Sequence, residues 1–333
     1  MGPDPRGDDR PLTREDLERA ILRESPIYTA AEVSGGDEEA LEESRRLWRA
    51  LGFPEYPGEE VAFTKGDAGA LATLRTAVAS GVIDFDTALN LTRAVGQTMA
   101  RLADWEVATL LPRLDQRMAT GENGDSRLAA AIAMVEQVNG PFEALLVYAW
   151  RRHLAAAVSR VEALGSADED LKTTEVTVGF ADIVQFTALS NEIGEERVGD
   201  LVEVFESRCS DVVAAHRGRI IKSLGDSVLF IVDDAVRGLD IAEGIIQVIG
   251  RDARMPDVRV GLASGSVVMR LGDVFGPPVN MAARLTAVAR RNRVIIDEAT
   301  AALLPDDQFE TRRLPARPVR GFGLVEPIAV RRQ

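Results

Sequence analysis

The chain holds one cysteine, Cys209, and two histidines in 333 residues. A single thiol excludes a disulfide framework. Its place on the apolar side of an expected helix marks it as buried rather than reactive. No apolar run approaches the roughly eighteen residues that a membrane helix requires. The best candidate, 144–150, is stopped by Arg151, Arg152 and His153. No charged segment leads into a short apolar one near the start, so no signal peptide is read and a cytoplasmic chain without a membrane partner is expected. Positive charge is also scarce, the formal net charge being -14. That balance argues against a surface built for nucleic-acid backbones, and no nucleic-acid partner is expected. A nucleotide stays admissible, because a triphosphate pocket needs only a few local cations and metal ions.

What is present divides into two halves, and the length suffices for two domains with a core each. Residues 1–11 are rich in Pro, Gly, Asp and Arg and predict a flexible leader. Thr13 and Asp16 have the spacing of a capping box and open a helix through Leu22. From there to about residue 160 the apolar residues recur at helical spacing, as in Leu41, Leu47 and Trp48, or Leu89, Val95, Met99 and Leu102. Turn clusters at 35–37, 54–58 and 120–125 separate the helices. An all-helical domain over 12–164 follows. Its last helix, 126–164, contains Asn139-Gly140-Pro141, where proline predicts a kink or break. Residues 165–172, led by a small, acidic run, suit a linker.

Beyond the linker the period changes. Segment 175–183 alternates like a strand, 196–215 is an amphipathic helix, and 219–224 with 227–232 flank Gly225-Asp226 as a hairpin. A helix at 235–249, a strand at 258–264, a helix at 279–290, a strand at 294–296 and a C-terminal strand pair complete an α+β domain over 173–333. Strand, helix, hairpin, helix, strand is the ferredoxin-like order.

Polar residues interrupt this apolar pattern at four places. Phe180-Ala181-Asp182-Ile183 puts a carboxylate at the end of an apolar strand, where a bare charge gains nothing. Ile221-Lys222-Ser223-Leu224-Gly225-Asp226 puts a second carboxylate at a hairpin tip whose strand neighbours the first. Two carboxylates at adjacent strand ends have the chemistry to bridge a pair of Mg²⁺ or Mn²⁺ ions. By itself Asp226 reads as a turn aspartate after glycine, and Lys222 by itself reads as an edge-strand charge. Gly272-Asp273-Val274-Phe275-Gly276 supplies Asp273. Val279-Asn280-Met281-Ala282-Ala283-Arg284 places Asn280 and Arg284 four apart on one helix face. An arginine fork suits charge that shifts across phosphate oxygens, although a lone helix arginine is ordinarily solvated and paired with an acid.

In this order the four stretches resemble the catalytic domain of class III nucleotidyl cyclases, over roughly residues 173–333. The resemblance implies that Asp182, Ile183 and Asp226 hold two metal ions per site, Mg²⁺ or Mn²⁺. It implies that Lys222 and Asp273 read the adenine ring, and that Asn280 and Arg284 orient the ribose and stabilise the transition state. Guanylyl members usually carry Glu and Cys at the two base-reading positions, so Lys222 and Asp273 point to ATP. Where the family commonly has Lys-Gly late in the domain, this chain has Arg320-Gly321-Phe322, and Arg320 is expected at the terminal phosphates. The implied reaction is attack of the ribose 3′-oxygen on the α-phosphorus with loss of pyrophosphate, which requires no histidine base. Because the metal and base-reading sets come from opposite subunits in the family, the resemblance implies a homodimer with two composite sites.

The first half, with Tyr28-Thr29-Ala30-Ala31-Glu32-Val33 and the segment from Arg45 to Pro54, has the flavour of a helix-turn-helix. It also resembles the N-terminal regulatory domain, called a pH sensor, of some actinobacterial adenylyl cyclases. Residues 1–64 carry 16 acidic and 8 basic side chains, net -8, which disfavours DNA as the ligand. Gly35-Gly36-Asp37-Glu38-Glu39 lacks the flanking strands of a diguanylate cyclase signature and reads as a turn into a helix. His153 is a candidate for acid sensing, against the plainer reading of a solvated histidine beside Arg151 and Arg152. Three alternatives stay open: a catalytically silent cyclase-like signalling module, a transcriptional regulator with a nucleotide-binding half, and a guanylyl-specific cyclase.

Overall fold

The computed structural model describes residues 11–35, 37–120, 126–164, 173–270 and 272–333. The leader at 1–10, the turn at 121–125 and the linker at 165–172 lie outside the described residues. The chain divides into two compact units, Met1–Val161 and Glu162–Gln333.

The first unit holds α1 (Arg14–Leu22), α2 (Ala30–Ser34), α3 (Glu38–Leu51), α4 (Lys65–Ala79), α5 (Phe85–Thr120) and α6 (Arg127–Leu164). Among its described residues the one β feature is an isolated bridge between Tyr28 and Phe63. Local chemistry starts these helices. The Asp16 carboxylate accepts the Thr13 N–H at 2.8 Å and its hydroxyl at 3.0 Å, and Asp37 caps α3 by accepting the Ala40 N–H at 2.6 Å. Gly35 closes α2 at φ 89°, a conformation open to glycine at no steric cost. Trp48 packs between Phe53 and Phe63, with ring centroids 4.9 and 5.0 Å away. Arg75 of α4 donates to the Ala40 carbonyl at 2.6 Å and the Ser44 hydroxyl at 2.8 Å, fastening α4 to α3. The expected interruption at Pro141 is not a break: α6 runs through it. A proline removes one helical hydrogen bond at about 3 kcal/mol, and the alanine-rich stretches on either side continue the helix.

The second unit is α+β. Its elements are β1 (Thr173–Ile183), α7 (Phe186–Ile193), α8 (Glu195–Ala215), β2 (Arg219–Ser223), β3 (Ser227–Val232), α9 (Ala235–Gly250), β4 (Val258–Arg270) and β5 (Asp273–Phe275). They continue with α10 (Pro277–Val288), β6 (Val294–Ile296), α11 (Glu298–Ala302), β7 (Phe309–Arg313), β8 (Arg317–Val319), β9 (Gly323–Val325) and β10 (Ile328–Arg332). The main sheet runs β2-β3-β1-β4-β6-β10-β7, with β5 beside β4, and β8-β9 form a separate hairpin. The first four strands in that order are the ferredoxin-like core. Strand alternation gives the sheet two apolar faces. Ala181, Phe230, Val260 and Leu262 face Phe205 and Cys209 of α8 and Leu239 and Ile245 of α9. Val178, Leu229, Ile231 and Ala263 face the other way, with Ala282 of α10.

Several elements were not expected. β4 continues six residues past Ser264 and folds back as β5 through Gly272, at φ 78°. Ser264 looked like a strand end because it is polar, yet it is buried in β4. Its hydroxyl is satisfied by Thr177 and Thr300, each at 2.8 Å, which removes the usual penalty. α7 is a short helix of its own, separated from α8 by Gly194 at φ 81°. The C-terminal pair proves to be β7 and β10 in the main sheet with the β8-β9 hairpin between them.

Candidate active site

The carboxylate of Asp182 is set by the sheet itself. Asp182 stands opposite Ser227 on β3 and opposite Arg259 on β4. The main chain of Asp226 accepts the Ile183 N–H at 2.9 Å, and Gly225 takes the turn at φ 77°, so the two aspartates sit at neighbouring strand ends. Burial pushes the Asp182 carboxyl above its ordinary range, the Asp226 charge adds to the shift, and the bonds and charge of Arg259 oppose it without cancelling it.

Arg259 is the residue that sequence reasoning missed. Its Nε donates to Asp182 Oδ2 at 2.7 Å and its Nη1 to the Ala287 carbonyl of α10 at 3.0 Å. Asp182 is therefore not the bare charge expected: a cross-strand guanidinium neutralises it. The signal was available, since Arg259 lies between Val258 and Val260, both fully buried. That is the same anomaly that drew attention to Lys222.

Hard oxygen donors suit Mg²⁺ or Mn²⁺. Asp182 and Asp226 supply two carboxylates, and Ile183, buried with no polar side-chain atom, has only its main-chain oxygen to offer. Among the described residues no cluster of three or more His, Cys, Asp or Glu side chains forms a closed cage. Two carboxylates completed by substrate phosphates are how Mg²⁺ is commonly held, so the donor set fits.

Lys222 and Asp273, 51 residues apart, meet at 2.6 Å between edge strand β2 and β5. A register shift in β2 between Ile220 and Lys222 accompanies the pairing. Asp273 also accepts the Val274 N–H at 2.8 Å. Burial works against its ionisation, but the Lys222 and Val274 hydrogen bonds and the Lys222 charge outweigh it and hold the carboxyl below its ordinary range. Both side chains keep about a third of their surface exposed, 36% and 30%, which leaves them open to a ligand.

Asn280 and Arg284 lie on the exposed face of α10, while Pro278, Ala282, Leu285 and Thr286 are buried beneath. The helix packs so closely on β4 that a Cβ on Gly261 would come within 2.4 Å of the Thr286 nitrogen and 2.5 Å of the Ala282 oxygen. Arg320 is exposed in the turn between β8 and β9, and His153 is exposed on α6. Cys209 is buried, and burial pushes its thiol up, away from reactivity. The structure thus brings together Asp182 with Asp226 and Lys222 with Asp273, and it puts Asn280 beside Arg284. Among the described residues no hydrogen bond or ion pair joins one of these three groups to another.

A family model described as the adenylate and guanylate cyclase catalytic domain matches residues 169–329. An adenylate cyclase of Streptomyces coelicolor is 37% identical over 93% of this chain and 87% of its own length. One of Streptomyces griseus is 35% identical over the same shares, 93% and 87%. A protein of Mycobacterium tuberculosis named as a pH-sensitive adenylate cyclase is 28% identical over 94% of this chain and 81% of its own.

Proposed function

The chain belongs to the class III adenylate and guanylate cyclases, and from that footing we propose that it converts ATP to 3′,5′-cyclic AMP and pyrophosphate at two composite sites of a homodimer. Cyclic nucleotide synthesis comes with the family. The choice of ATP is carried by the Lys222–Asp273 pair at 2.6 Å. Adenine presents a ring-nitrogen acceptor beside an amino donor, and an ammonium beside a carboxylate answers both. Guanine carries the two groups in swapped positions, its acceptor on the exocyclic oxygen and its donor on the ring nitrogen, so a pair fixed in the order that suits adenine is mismatched against it.

Each side chain then has a task. Lys222 donates to the purine ring and Asp273 accepts from its amino group. Asn280 orients the ribose. Arg284 lends its fork to charge developing on the phosphorus oxygens, and Arg320 holds the terminal phosphates. Asp182, Ile183 and Asp226 hold two Mg²⁺ or Mn²⁺ ions, which when bound lower the pKa of the attacking hydroxyl and neutralise phosphate charge. Arg259, which occupies Asp182, must yield that carboxylate to an arriving cation. Asn280 and Arg284, exposed on α10, make no hydrogen bond or ion pair with Asp182 or Asp226 among the described residues, which supports a site completed by a second copy.

In this reading residues 173–333 are the catalytic domain, residues 12–164 restrain it, and acid relieves the restraint, with His153 as one candidate sensor. Among the described residues no helix is long and apolar enough to cross a membrane. An ATP-consuming chain whose one cysteine is a buried free thiol is read as cytoplasmic.

Turnover of ATP and GTP with Mg²⁺ and with Mn²⁺ tests the central claim. Cyclic AMP formation well above cyclic GMP formation is expected. The reverse order identifies a guanylyl enzyme, and no product with either nucleotide identifies a silent module.

A further inference from the structure

Beyond the side chains assigned to catalysis, the outer end of the sheet in the second unit opens a cleft of about 890 Å³ between the end of α10, β6, β7, β8 and β10. Its charged lining is Arg290, Arg293, Arg312, Arg317 and Arg331 against one carboxylate, Glu310. Among the described residues none of these five guanidiniums forms an ion pair. Their immediate neighbours do. Arg291 reaches Asp257 at 3.3 Å, Arg313 reaches Glu298 at 2.5 Å and Glu326 at 3.2 Å, and Arg332 reaches Asp240 and, at 3.1 Å, Glu243.

The contrast on β7 and β10 follows from the pleat, because successive side chains point to opposite faces. One face of this edge has its cations neutralised by acids, and the other leaves them open. Arg331 stands opposite Glu310 and Arg312 opposite Ala329. Glu310 therefore offsets a single charge, and the small Ala329 leaves space above Arg312. Collecting five like charges in one concavity is unfavourable on its own, and it occurs in a chain whose net charge is -14.

A multivalent anion resolves that repulsion. Guanidinium forks match phosphate oxygens two at a time, and a cleft of this size holds a small molecule rather than a polymer. We propose that this cleft binds a condensed phosphate, a di- or triphosphate chain either free or carried on a nucleotide. Asp182, Lys222, Asp273, Arg284 and Arg320 do not line it, so the site does not rest on the catalytic assignment. A single phosphate group engages only one or two of the forks, which makes chain length the feature that is recognised.

Calorimetric titration of the full chain with sodium tripolyphosphate, in the presence of a chelator so that no divalent ion bridges the anion to a carboxylate, decides the matter. Saturable binding that weakens with added salt is expected. The paired substitution Arg312→Gln with Arg331→Gln should weaken it by at least about tenfold, and Arg290→Gln with Arg293→Gln on the opposite wall should do the same. Circular dichroism and melting show which pair is folded and fit to be read. Lys222→Ala with Arg320→Ala, which removes the purine and terminal-phosphate contacts assigned to the catalytic site and leaves the cleft lining intact, should keep the parent's affinity for tripolyphosphate. In that background, ATP and GTP binding as tightly as tripolyphosphate assigns recognition to the phosphate chain alone, and tighter nucleotide binding adds the nucleoside to it; both support the proposal. Unchanged affinity in a folded pair, loss of tripolyphosphate binding in Lys222→Ala with Arg320→Ala, or orthophosphate binding as tightly as tripolyphosphate overturns it.

Discussion

Asp182 is held between opposing influences, with burial and Asp226 favouring its neutral form and Arg259 favouring its charge. A carboxyl whose folded pKa is raised keeps its proton to a higher pH than a free aspartate does. Only the ionised form accepts a cation. Divalent-ion affinity should therefore fall as pH drops, beginning above the ordinary aspartate value of about 3.9. Mn²⁺ titrations across pH would check this, and Asp182→Asn should abolish the pH-dependent component along with most of the affinity. Asp273 is shifted the other way and stays ionised further into acid, so acid disables the metal-binding end first. Replacing the base-reading pair, Lys222→Glu with Asp273→Cys, should cut kcat/KM for ATP by roughly 100-fold or more, because a site built to hydrogen-bond one edge leaves its own groups unpaired against another. The ratio of ATP to GTP turnover measures it. Lys222 was legible as an ambiguous cation in an apolar strand. Its partner was not legible from spacing, because 51 residues separate them.

The α10 helix carries Asn280 and Arg284, and it lies on β4 with no room for a Cβ at Gly261. Gly261→Ala should force the helix outward, costing about 1–3 kcal/mol of stability by overpacking. Denaturant unfolding reads the stability loss, and ATP turnover should fall with it because both functional side chains ride on the displaced helix. The helices α8 and α9, expected at 196–215 and 235–249, were readable within a residue or so from apolar periodicity, and the capping box opened α1, while α3, α4 and α5 were read as helical periodicity without bounds. Short elements were read unevenly: β6 was expected at its observed 294–296, whereas α11, of five residues, and β5, of three, were missed. Those two are too short to establish a period, and they exist because neighbouring elements supply their partners. Pro141 shows the opposite failure, a strong local breaker overridden by the helix on both sides of it.

A composite site in a two-fold dimer makes a prediction that no single chain can satisfy alone. Asp182→Ala and Arg284→Ala proteins, each inactive, should regain activity when mixed, approaching a quarter of the parental level if dimers form at random and one of the two sites in each mixed dimer is intact. No recovery would exclude the shared site. Restraint by the first unit makes another. Residues 170–333 alone should lose activity steadily as pH falls, following Asp182, while the full chain should gain activity in mild acid before that loss sets in. Identical pH profiles for the two would exclude an acid-relieved restraint.

Composition and local pattern indicated the two-part organisation, the helical character of the first unit, the ferredoxin-like order of the second and the polar residues that interrupt its apolar elements, properties that a short window contains. Grouping six of those residues into one site came from the resemblance to the cyclase family and not from any window. Only the tertiary structure decided what those polar residues touch. That Arg259 covers Asp182, that Lys222 meets Asp273, and that Arg312 and Arg331 stay open while Arg313 and Arg332 are paired all depend on strand register and pleat. Register joins positions far apart in the chain through backbone hydrogen bonds that are the same for every side chain, so a linear reading has no means to see it.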